Sequence, residues 1–164
     1  MEFITKNTEE TRRIGEDLAR EISGFKSKEK FALVMALEGE LGAGKTTFVQ
    51  GFARGLKLEN KITSPTFVLF KIYPIRPFEI PQDRQAQGRP LRIKSFFRQM
   101  IHVDCYRLRD HKDLAAIGFK EEIRNKENII LVEWSDRVQP ILPERHIKVH
   151  IDHVSENERK IRIL

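Results

Sequence analysis

A glycine-rich segment with a single lysine lies between two apolar stretches of different periodicity. It runs Gly39-Glu40-Leu41-Gly42-Ala43-Gly44-Lys45-Thr46-Thr47 and satisfies the phosphate-loop pattern G-x-x-x-x-G-K-[ST]. The run from Phe31 to Leu37 before it is continuously apolar, as expected of a strand that a parallel sheet buries on both faces. After it, apolar side chains between Phe48 and Leu56 recur at helical spacing. The order strand, glycine loop, helix is the context that the pattern requires.

The residue types in this segment suit a polyphosphate. A helix N-terminus offers unpaired N–H groups and the positive end of the helix dipole to an anion. Gly39, Gly42 and Gly44 let the backbone approach the phosphates and are expected to adopt positive φ where the loop needs it. Lys45 is then expected to reach the β- and γ-phosphates, and the Thr46 hydroxyl to ligate Mg²⁺. The alternative is an ordinary glycine-rich turn before a helix.

Composition limits the class of protein and its partners. The 164 residues predict one domain of ordinary size, residues 1–164, with a single core. The formal net charge of +6 favours polyanionic partners, tRNA included, although many basic proteins bind no nucleic acid. The single cysteine, Cys105, excludes an intrachain disulfide and a cysteine-based zinc site. No apolar run approaches membrane-spanning length and no apolar signal core begins the chain, so we expect a cytoplasmic protein without a membrane partner.

Two later segments carry acidic residues on predicted strands. Residues 101–106 alternate with period two, which places His102, Asp104 and Tyr106 on one face. Polar groups on a buried strand are costly unless they bond to something, so this face suggests a site. Asp104 is the better functional candidate, because a lone histidine is more often structural.

The second acidic position, Glu133, follows four apolar residues at 129–132. Ligands of open α/β sheets bind at the carboxyl ends of parallel strands, where phosphate-loop enzymes place a second Mg²⁺-linked carboxylate. We therefore expect Glu133 to face the same crevice as Lys45 and Thr46. The alternative is a charge that merely ends a strand.

The remaining elements are predicted from spacing and turn residues. Residues 3–5 form a short strand, and Asn7 caps a helix whose apolar face is marked by Ile14, Leu18, Ile22 and Phe25. Thr11, in the first turn of that helix, is interpreted from the sequence alone as a solvated residue. Residues 146–151 and 159–164 are two alternating runs around a polar turn, which predicts a C-terminal β-hairpin.

Two segments between the phosphate loop and residue 101 leave alternatives open. Pro65 cannot lie inside a central strand, so Ser64 to Thr66 is expected to be a loop that leads into a strand at about 67 to 73. It is either a switch that senses the γ-phosphate or an ordinary loop. Residues 74–99 contain four prolines and are basic, which predicts an insertion without long regular elements. That insertion is either a nucleic-acid or partner-binding flap or simply solvated.

Four segments, in this order, resemble the TsaE (YjeE) family of bacterial ATPases required for the threonylcarbamoyladenosine modification of tRNA. They are Gly39 to Thr47, Ser64-Pro65-Thr66-Phe67, His102-Val103-Asp104-Cys105-Tyr106-Arg107 and Val132-Glu133-Trp134. The phosphate loop is shared by many proteins, whereas the combination with the other three is far more specific. The resemblance covers almost the whole chain, except that residues 74–99 are longer and more basic than the family's usual connection. The predicted fold is a three-layer α/β fold of the P-loop NTPase type, with a mixed, mostly parallel sheet, helices on both faces and the C-terminal hairpin.

The resemblance implies an ATPase that uses ATP and Mg²⁺ and is slow alone. It joins the TsaB–TsaD pair, where ATP binding and hydrolysis reset the complex between rounds of threonylcarbamoyl transfer to tRNA. The chain is expected to contact the tRNA either indirectly or through its basic surface. The catalytic residues that it implies are Lys45, Asp104 and Glu133, and the metal residues are Thr46 and Glu133. The nucleotide-binding residues are Thr11, near the adenine, and Gly42, Ala43, Gly44, Lys45, Thr46, Thr47, Thr66 and Trp134.

Other functions share the phosphate loop. A nucleotide or small-metabolite kinase could use residues 74–99 as an arginine lid, but no second substrate-binding signature is present. A GTPase needs a guanine-reading N-K-x-D, and Asn60-Lys61-Ile62-Thr63 lacks the aspartate. A nucleotide-gated binding module whose hydrolysis is incidental is the non-enzymatic alternative.

Overall fold

Parallel strands form the centre of the molecule in the computed structural model, which describes residues 1–23, 30–59, 62–65, 69–76, 78–80, 91–93 and 96–164. The strands are β1 (Glu2–Thr5), β2 (Leu33–Glu38), β3 (Phe70–Pro74), β4 (Phe78–Ile80), β5 (Leu91–Ile93), β6 (Gln99–Asp104), β7 (Asn128–Glu133), β8 (Ile147–His153) and β9 (Arg159–Ile163). The helices are α1 (Thr8–Ser23), α2 (Lys45–Gly55), α3 (His111–Ala116), α4 (Phe119–Arg124) and a 3₁₀ helix (Ser135–Ile141).

Within those residues, seven strands form one sheet in the order β1-β9-β8-β2-β7-β6-β3. The four central strands β8, β2, β7 and β6 are parallel to one another. The outer strands pair antiparallel, β9 with β8 and β1 on one side and β3 with β6 on the other. The predicted mixed sheet with a C-terminal hairpin, here β8 and β9, is confirmed.

Apolar side chains fill both faces of this sheet. Helices α1 and α2 cover one face, and their core includes Phe48 and Phe52. The other face is covered by α3, α4 and the 3₁₀ helix, whose core includes Leu114 and Phe119. Strand β7 is buried at every position, because it has parallel neighbours beside it and helices on both faces. Among the described residues, no helix is both long enough and apolar enough to cross a membrane.

Helices α1 and α2 approach each other through small residues. A Cβ on Gly51 would lie 1.9 Å from the carbonyl oxygen of Arg12, and one on Gly15 would lie 2.4 Å from that of Phe48. The buried face of α1 therefore includes Gly15 and Ala19, whereas Ile14, which was predicted to mark the apolar face, is only half-buried. The predicted face does pack on the core, through Leu18 with Ile14 and Ile22 beside it, whereas Phe25 lies outside the described residues. Apolar spacing did not indicate the glycine contacts, because a close helix contact needs small side chains rather than large ones.

Asn7 caps the start of α1 as predicted, but Thr11 differs from its prediction. The backbone N–H of Glu10 donates to Asn7 Oδ1 over 2.9 Å, and the Glu10 carboxylate accepts from the backbone N–H of Lys6 over 2.7 Å. The interpretation of Thr11 as solvated is wrong: it is buried, and its hydroxyl lies 2.9 Å from that of Thr5. Strand β1 lies beside this turn of the helix and covers the side chain.

The segment after the phosphate-loop helix contains short elements. Strand β3 begins at Phe70 rather than at about 67, and residues 66–68 lie outside those the structure describes. Among the described strands, β3 is at the edge of the main sheet beside β6. An edge strand tolerates a proline, here its final residue Pro74. Within the basic 74–99 stretch, β4 and β5 form a two-stranded antiparallel sheet that the sequence did not predict.

Candidate nucleotide-binding site

The glycine loop connects the C-terminal end of β2 to the N-terminus of α2. Gly39, Gly42 and Gly44 have φ values of +136°, +77° and +105°, so the predicted positive φ angles are confirmed. Gly39 also lies against β8, where a Cβ would come within 2.2 Å of the Ile151 carbonyl oxygen. A loop with this backbone presents N–H groups at the start of α2, which is a favourable site for an anion.

A cavity of about 360 Å³ opens beside the loop at the carboxyl ends of β2, β7 and β6. It is lined by Leu41, Gly42, Gly44, Lys45, Thr46, Thr47, Ser64, Asp104, Tyr106, Glu133 and Trp134. The structure therefore brings together at one cavity eight of the predicted site residues. Residues from the loop, the segment before β3 and the ends of two central strands meet there because parallel strands end at the same edge.

The Lys45 side chain lies folded against its own loop. Its Nζ donates to the carbonyl oxygens of Gly39, over 2.7 Å, and Glu40, over 2.9 Å. Burial lowers the pKa of the Lys45 ammonium from its usual value, whereas the nearby carboxylates of Glu133 and Asp104 oppose that shift. The ammonium is thus held by two neutral acceptors, which an anionic oxygen can replace with a stronger charge-assisted bond.

Thr46, at the start of α2, contacts the acidic end of β7. The Thr46 hydroxyl donates to Glu133 Oε2 over 2.9 Å, and Glu133 Oε1 lies 2.7 Å from His102 Nε2 on the adjacent strand β6. Only 3% of the Glu133 side chain is exposed, so both carboxylate oxygens depend on protein partners.

A hydroxyl and a carboxylate oxygen at this spacing fit Mg²⁺, which binds oxygen ligands and usually takes the remainder from phosphates and water. Across the described part of the chain, no group of three or more His, Cys, Asp or Glu side chains could hold a metal ion. The fit is therefore to a cation that arrives with a phosphate ligand rather than to an all-protein metal centre.

Asp104 links the end of β6 to the loop that precedes β3. Its Oδ2 accepts from the Ser64 hydroxyl, and its Oδ1 accepts from the backbone N–H of Tyr106 over 2.9 Å. The carboxylate is 5% exposed and borders the cavity, so it can accept a further hydrogen bond from a group inside it. Ser64 and Pro65 are the described part of the predicted switch loop; Thr66 lies outside the described residues.

Trp134 follows Glu133 in a left-handed conformation, with φ of 58°. This backbone turn takes the indole away from the direction of β7 and places it over the Lys45 ammonium, 3.7 Å from Nζ to the ring centroid. The Tyr106 ring packs against it with centroids 5.0 Å apart. The two rings form an apolar part of the cavity wall.

A second, polar cavity of about 180 Å³ lies on the far side of the loop. It shares Gly42, Gly44 and Thr47 with the first cavity and is also lined by Asn7, Thr8, Thr11, Glu156, Asn157 and Arg159. Ala43 is buried and lines neither cavity, but its carbonyl oxygen accepts from Arg159 Nε over 3.1 Å. Thr11 therefore lies at the loop, although the spacing of its own helix did not indicate it.

The residues of this region that the predicted site omitted include His102, Tyr106, Ser64 and Arg159. His102 and Tyr106 were placed on the polar face of β6, and Ser64 on the loop, so a signal existed for these three. Arg159 had no such signal, because it comes from β9 at the far end of the chain and meets the loop only in the folded sheet.

The chain is similar to known proteins along most of its length. Residues 5–161 match the family model described as threonylcarbamoyl adenosine biosynthesis protein TsaE. The chain is 32% identical over 133 residues to the tRNA threonylcarbamoyladenosine biosynthesis protein TsaE of Haemophilus influenzae, covering 81% of this chain and 70% of that protein. It is 32% identical over 164 residues to the protein of the same name from Aquifex aeolicus, covering 99% and 94%. The crystal structure of YdiB from Bacillus subtilis matches with a TM-score of 0.64 at 27% identity, covering 99% of this chain and 83% of that one.

Proposed function

The chain belongs to the TsaE family, and we propose that it serves tRNA threonylcarbamoyladenosine biosynthesis by binding and hydrolysing Mg-ATP. The observation that carries the proposal is the contact between Thr46 Oγ1 and Glu133 Oε2, 2.9 Å long, beside the Lys45 ammonium. An ordinary glycine-rich turn would have no reason to bring a buried carboxylate and a lysine to the same cavity, because burying both charges is costly.

The loop residues and the two carboxylates of the cavity each have a proposed role in this reaction. The backbone N–H groups of residues 42–47 bind phosphate oxygens, and Lys45 exchanges its carbonyl partners for the β- and γ-phosphates. Thr46 and Glu133 hold Mg²⁺, which when bound neutralises charge on the phosphate oxygens. Asp104 orients the attacking water, since its carboxylate borders the same cavity.

The nucleoside is proposed to extend along the loop from the phosphates. The second cavity shares three loop residues with the first and contains Thr11, so it can receive the base or the ribose through hydrogen bonds. Trp134 is proposed to cover the phosphates in the first cavity, beside Lys45. Ala43 takes part through its backbone, and Thr66 acts in the loop that begins at Ser64.

Dependence on the TsaB–TsaD pair is proposed from the guanidinium groups near the site. Arg137 donates to the carbonyl oxygens of Tyr106 and Leu108, and Arg159 donates to that of Ala43. Because backbone oxygens already accept from these donors, we expect the chain without partners to hydrolyse ATP slowly. A cation supplied by a partner should accelerate hydrolysis, since such a group contributes on the order of 10³–10⁵ in rate. We also propose that the basic 74–99 insertion lies within the single domain 1–164. Contact with tRNA and a cytoplasmic location stay predictions.

Phosphate release from ATP tests the proposal, measured for the chain alone and with the TsaB–TsaD pair of the same organism. We expect slow Mg²⁺-dependent release that the pair accelerates, and Glu133→Gln should remove most of it. The matched control is Glu144→Gln, an exposed carboxylate outside the site. Release without Mg²⁺ dependence, or equal rates in the two variants, would contradict the proposal. Phosphate found on an added nucleotide or metabolite acceptor instead of in solution would favour the kinase alternative.

A further inference from the structure

His102 is a fully buried histidine in direct contact with the carboxylate of the site. Its side chain is 0% exposed, and its Nε2 lies 2.7 Å from Glu133 Oε1. The other ring nitrogen, Nδ1, is also buried and has no hydrogen-bond partner among the residues that the structure describes. A buried nitrogen without a partner is costly, so the favourable bond on the opposite side of the ring must offset that cost.

The pattern of partners determines which nitrogen carries the proton. An ionised carboxylate only accepts, so Nε2 must be the donor to Glu133. The 2.7 Å contact thus places an Nε2–H of His102 in position to donate to Glu133 Oε1.

We propose that His102 is a positioning residue that orients the Glu133 carboxylate for Mg²⁺; this inference rests on the proposed function. A glutamate side chain has several rotatable bonds, and at a strand end its two oxygens can exchange places or turn away. With Oε1 bound to His102, Oε2 is directed at Thr46 Oγ1, 2.9 Å away. The two oxygens that fit the cation are thereby held together before it arrives.

The register of the sheet supports this role. Strands β6 and β7 pair in parallel, and His102 is directly opposite Leu131, two residues before Glu133. The histidine thus reaches the carboxylate from the neighbouring strand, in a layer that holds Met100 and Leu131 on the same side of the sheet. Because the bond comes from a different strand, it restrains the Glu133 side chain independently of its own backbone. Hydrogen-bond partners of metal ligands typically contribute 10- to 100-fold in metal affinity or activity.

Three substitutions at His102 separate positioning from general packing. His102→Leu removes the donor, and His102→Asn keeps a polar group too short to place nitrogen at the Nε2 position. His102→Gln keeps a donor that can reach Glu133. Met100→Leu is the matched control, because Met100 is equally buried on the same face of the same strand.

The measurement is ADP binding by calorimetry, with MgCl₂ and with EDTA, together with thermal unfolding of every variant. We expect His102→Leu and His102→Asn to lose about 10- to 100-fold in the affinity of the ADP complex for Mg²⁺. Their ADP affinity in EDTA should stay within about twofold of wild type. His102→Gln should recover most of the loss, and Met100→Leu should behave as wild type. A ¹⁵N spectrum of the histidine ring should show the proton on Nε2.

Two results overturn the inference. Unchanged Mg²⁺ affinity in both His102→Leu and His102→Asn would remove the positioning role, and so would an equal loss of ADP affinity in EDTA and in MgCl₂, which marks a packing defect. If His102→Leu fails to fold, the comparison of His102→Asn with His102→Gln decides between these results. If wild-type ADP binding does not respond to Mg²⁺ at all, the proposed function fails and the inference fails with it, an outcome distinct from a failure of the variants alone.

Discussion

The Lys45 ammonium lies over the face of the Trp134 ring, 3.7 Å from its centroid, while it donates to two carbonyl oxygens of its own loop. A cation over an indole is stabilised by about 0.5–2 kcal/mol. A phosphate that binds in the loop competes for the same ammonium. If the loop binds a nucleotide as proposed, we expect the movement of Lys45 to change the environment of Trp134, which directly follows Glu133.

Trp134 fluorescence is expected to report nucleotide binding. The chain contains one tryptophan, so the whole indole signal comes from this ring. Titration with ADP should change its intensity or emission maximum, because the ammonium moves toward the phosphates. Lys45→Met keeps the apolar stem without the charge and should remove most of the change. Lys120→Met, an exposed lysine of α4, is the control and should leave it intact. An identical response in the Lys45→Met variant would show that the ammonium is not the link.

Asp104→Asn is expected to lower the rate of hydrolysis far more than it weakens ATP binding. The amide keeps the shape of the side chain but cannot accept from both Ser64 and Tyr106 and cannot serve as a base. A positioned acid or base typically contributes 10²–10⁴-fold, so we expect a loss of roughly 10²-fold or more in single-turnover rate at saturating ATP. Asp17→Asn, an exposed aspartate of α1, is the matched control. A collapse of ATP affinity with a normal rate at saturation would reverse the assigned role.

Local patterns were sufficient to predict much of the site before the structure. The phosphate loop, the polar alternation of β6 and the acid after an apolar run each depend on a few adjacent residues. Parallel strands end at one edge of a sheet, so Asp104 and Glu133 could be predicted to meet Lys45 there. These contacts follow from strand direction, and strand direction follows from the order of apolar and polar segments.

Contacts between distant segments could not be predicted in this way. Arg159 reaches the Ala43 carbonyl from 116 positions along the chain, and no local pattern marks it. Thr11 contacts Thr5 of β1 and lies close to Gly44 of the glycine loop, and its own helix encodes neither neighbour. The paired β4 and β5 are three residues each, too short for a period to be detected. The role of His102 depends on its bond to another strand, whereas the sequence offered only a polar face.

Gly51→Ala is expected to destabilise the protein, although alanine normally favours a helix interior over glycine by about 0.5–1 kcal/mol. The added Cβ would lie 1.9 Å from the Arg12 carbonyl oxygen, so α1 must shift away from α2. Overpacking of this kind typically costs about 1–3 kcal/mol. Denaturant unfolding measures the loss, and Glu21→Ala, at an exposed position of α1, is the control. An increase in unfolding free energy for Gly51→Ala would contradict the close helix contact.

Cys105 is expected to be unreactive in the native protein. Burial, reinforced by the Asp104 charge, raises the pKa of the Cys105 thiol to about 12. The thiolate is the reactive form, so its fraction stays very small at pH 8 and grows only as the pH approaches that value. A colorimetric disulfide reagent should label no thiol in native protein at pH 8 and one thiol per chain in guanidinium chloride. Labelling of the native protein at the rate of a free thiol would show that the site opens readily.

Association with the TsaB–TsaD pair is expected to be stronger with ATP than with ADP. The Ser64 hydroxyl donates to Asp104, which borders the cavity for the proposed γ-phosphate, so the loop that begins at Ser64 can respond to whether that phosphate is present. A ligand shifts a conformational equilibrium only if it binds one state better than the other. Affinity for the pair, measured by surface binding with a slowly hydrolysed ATP analogue, with ADP and with no nucleotide, should therefore be highest with the ATP analogue. Thr66→Ala should reduce the difference between ATP and ADP, whereas Thr63→Ala, an exposed threonine of the same segment, should leave it unchanged. Equal affinities in all three nucleotide states would refute this coupling.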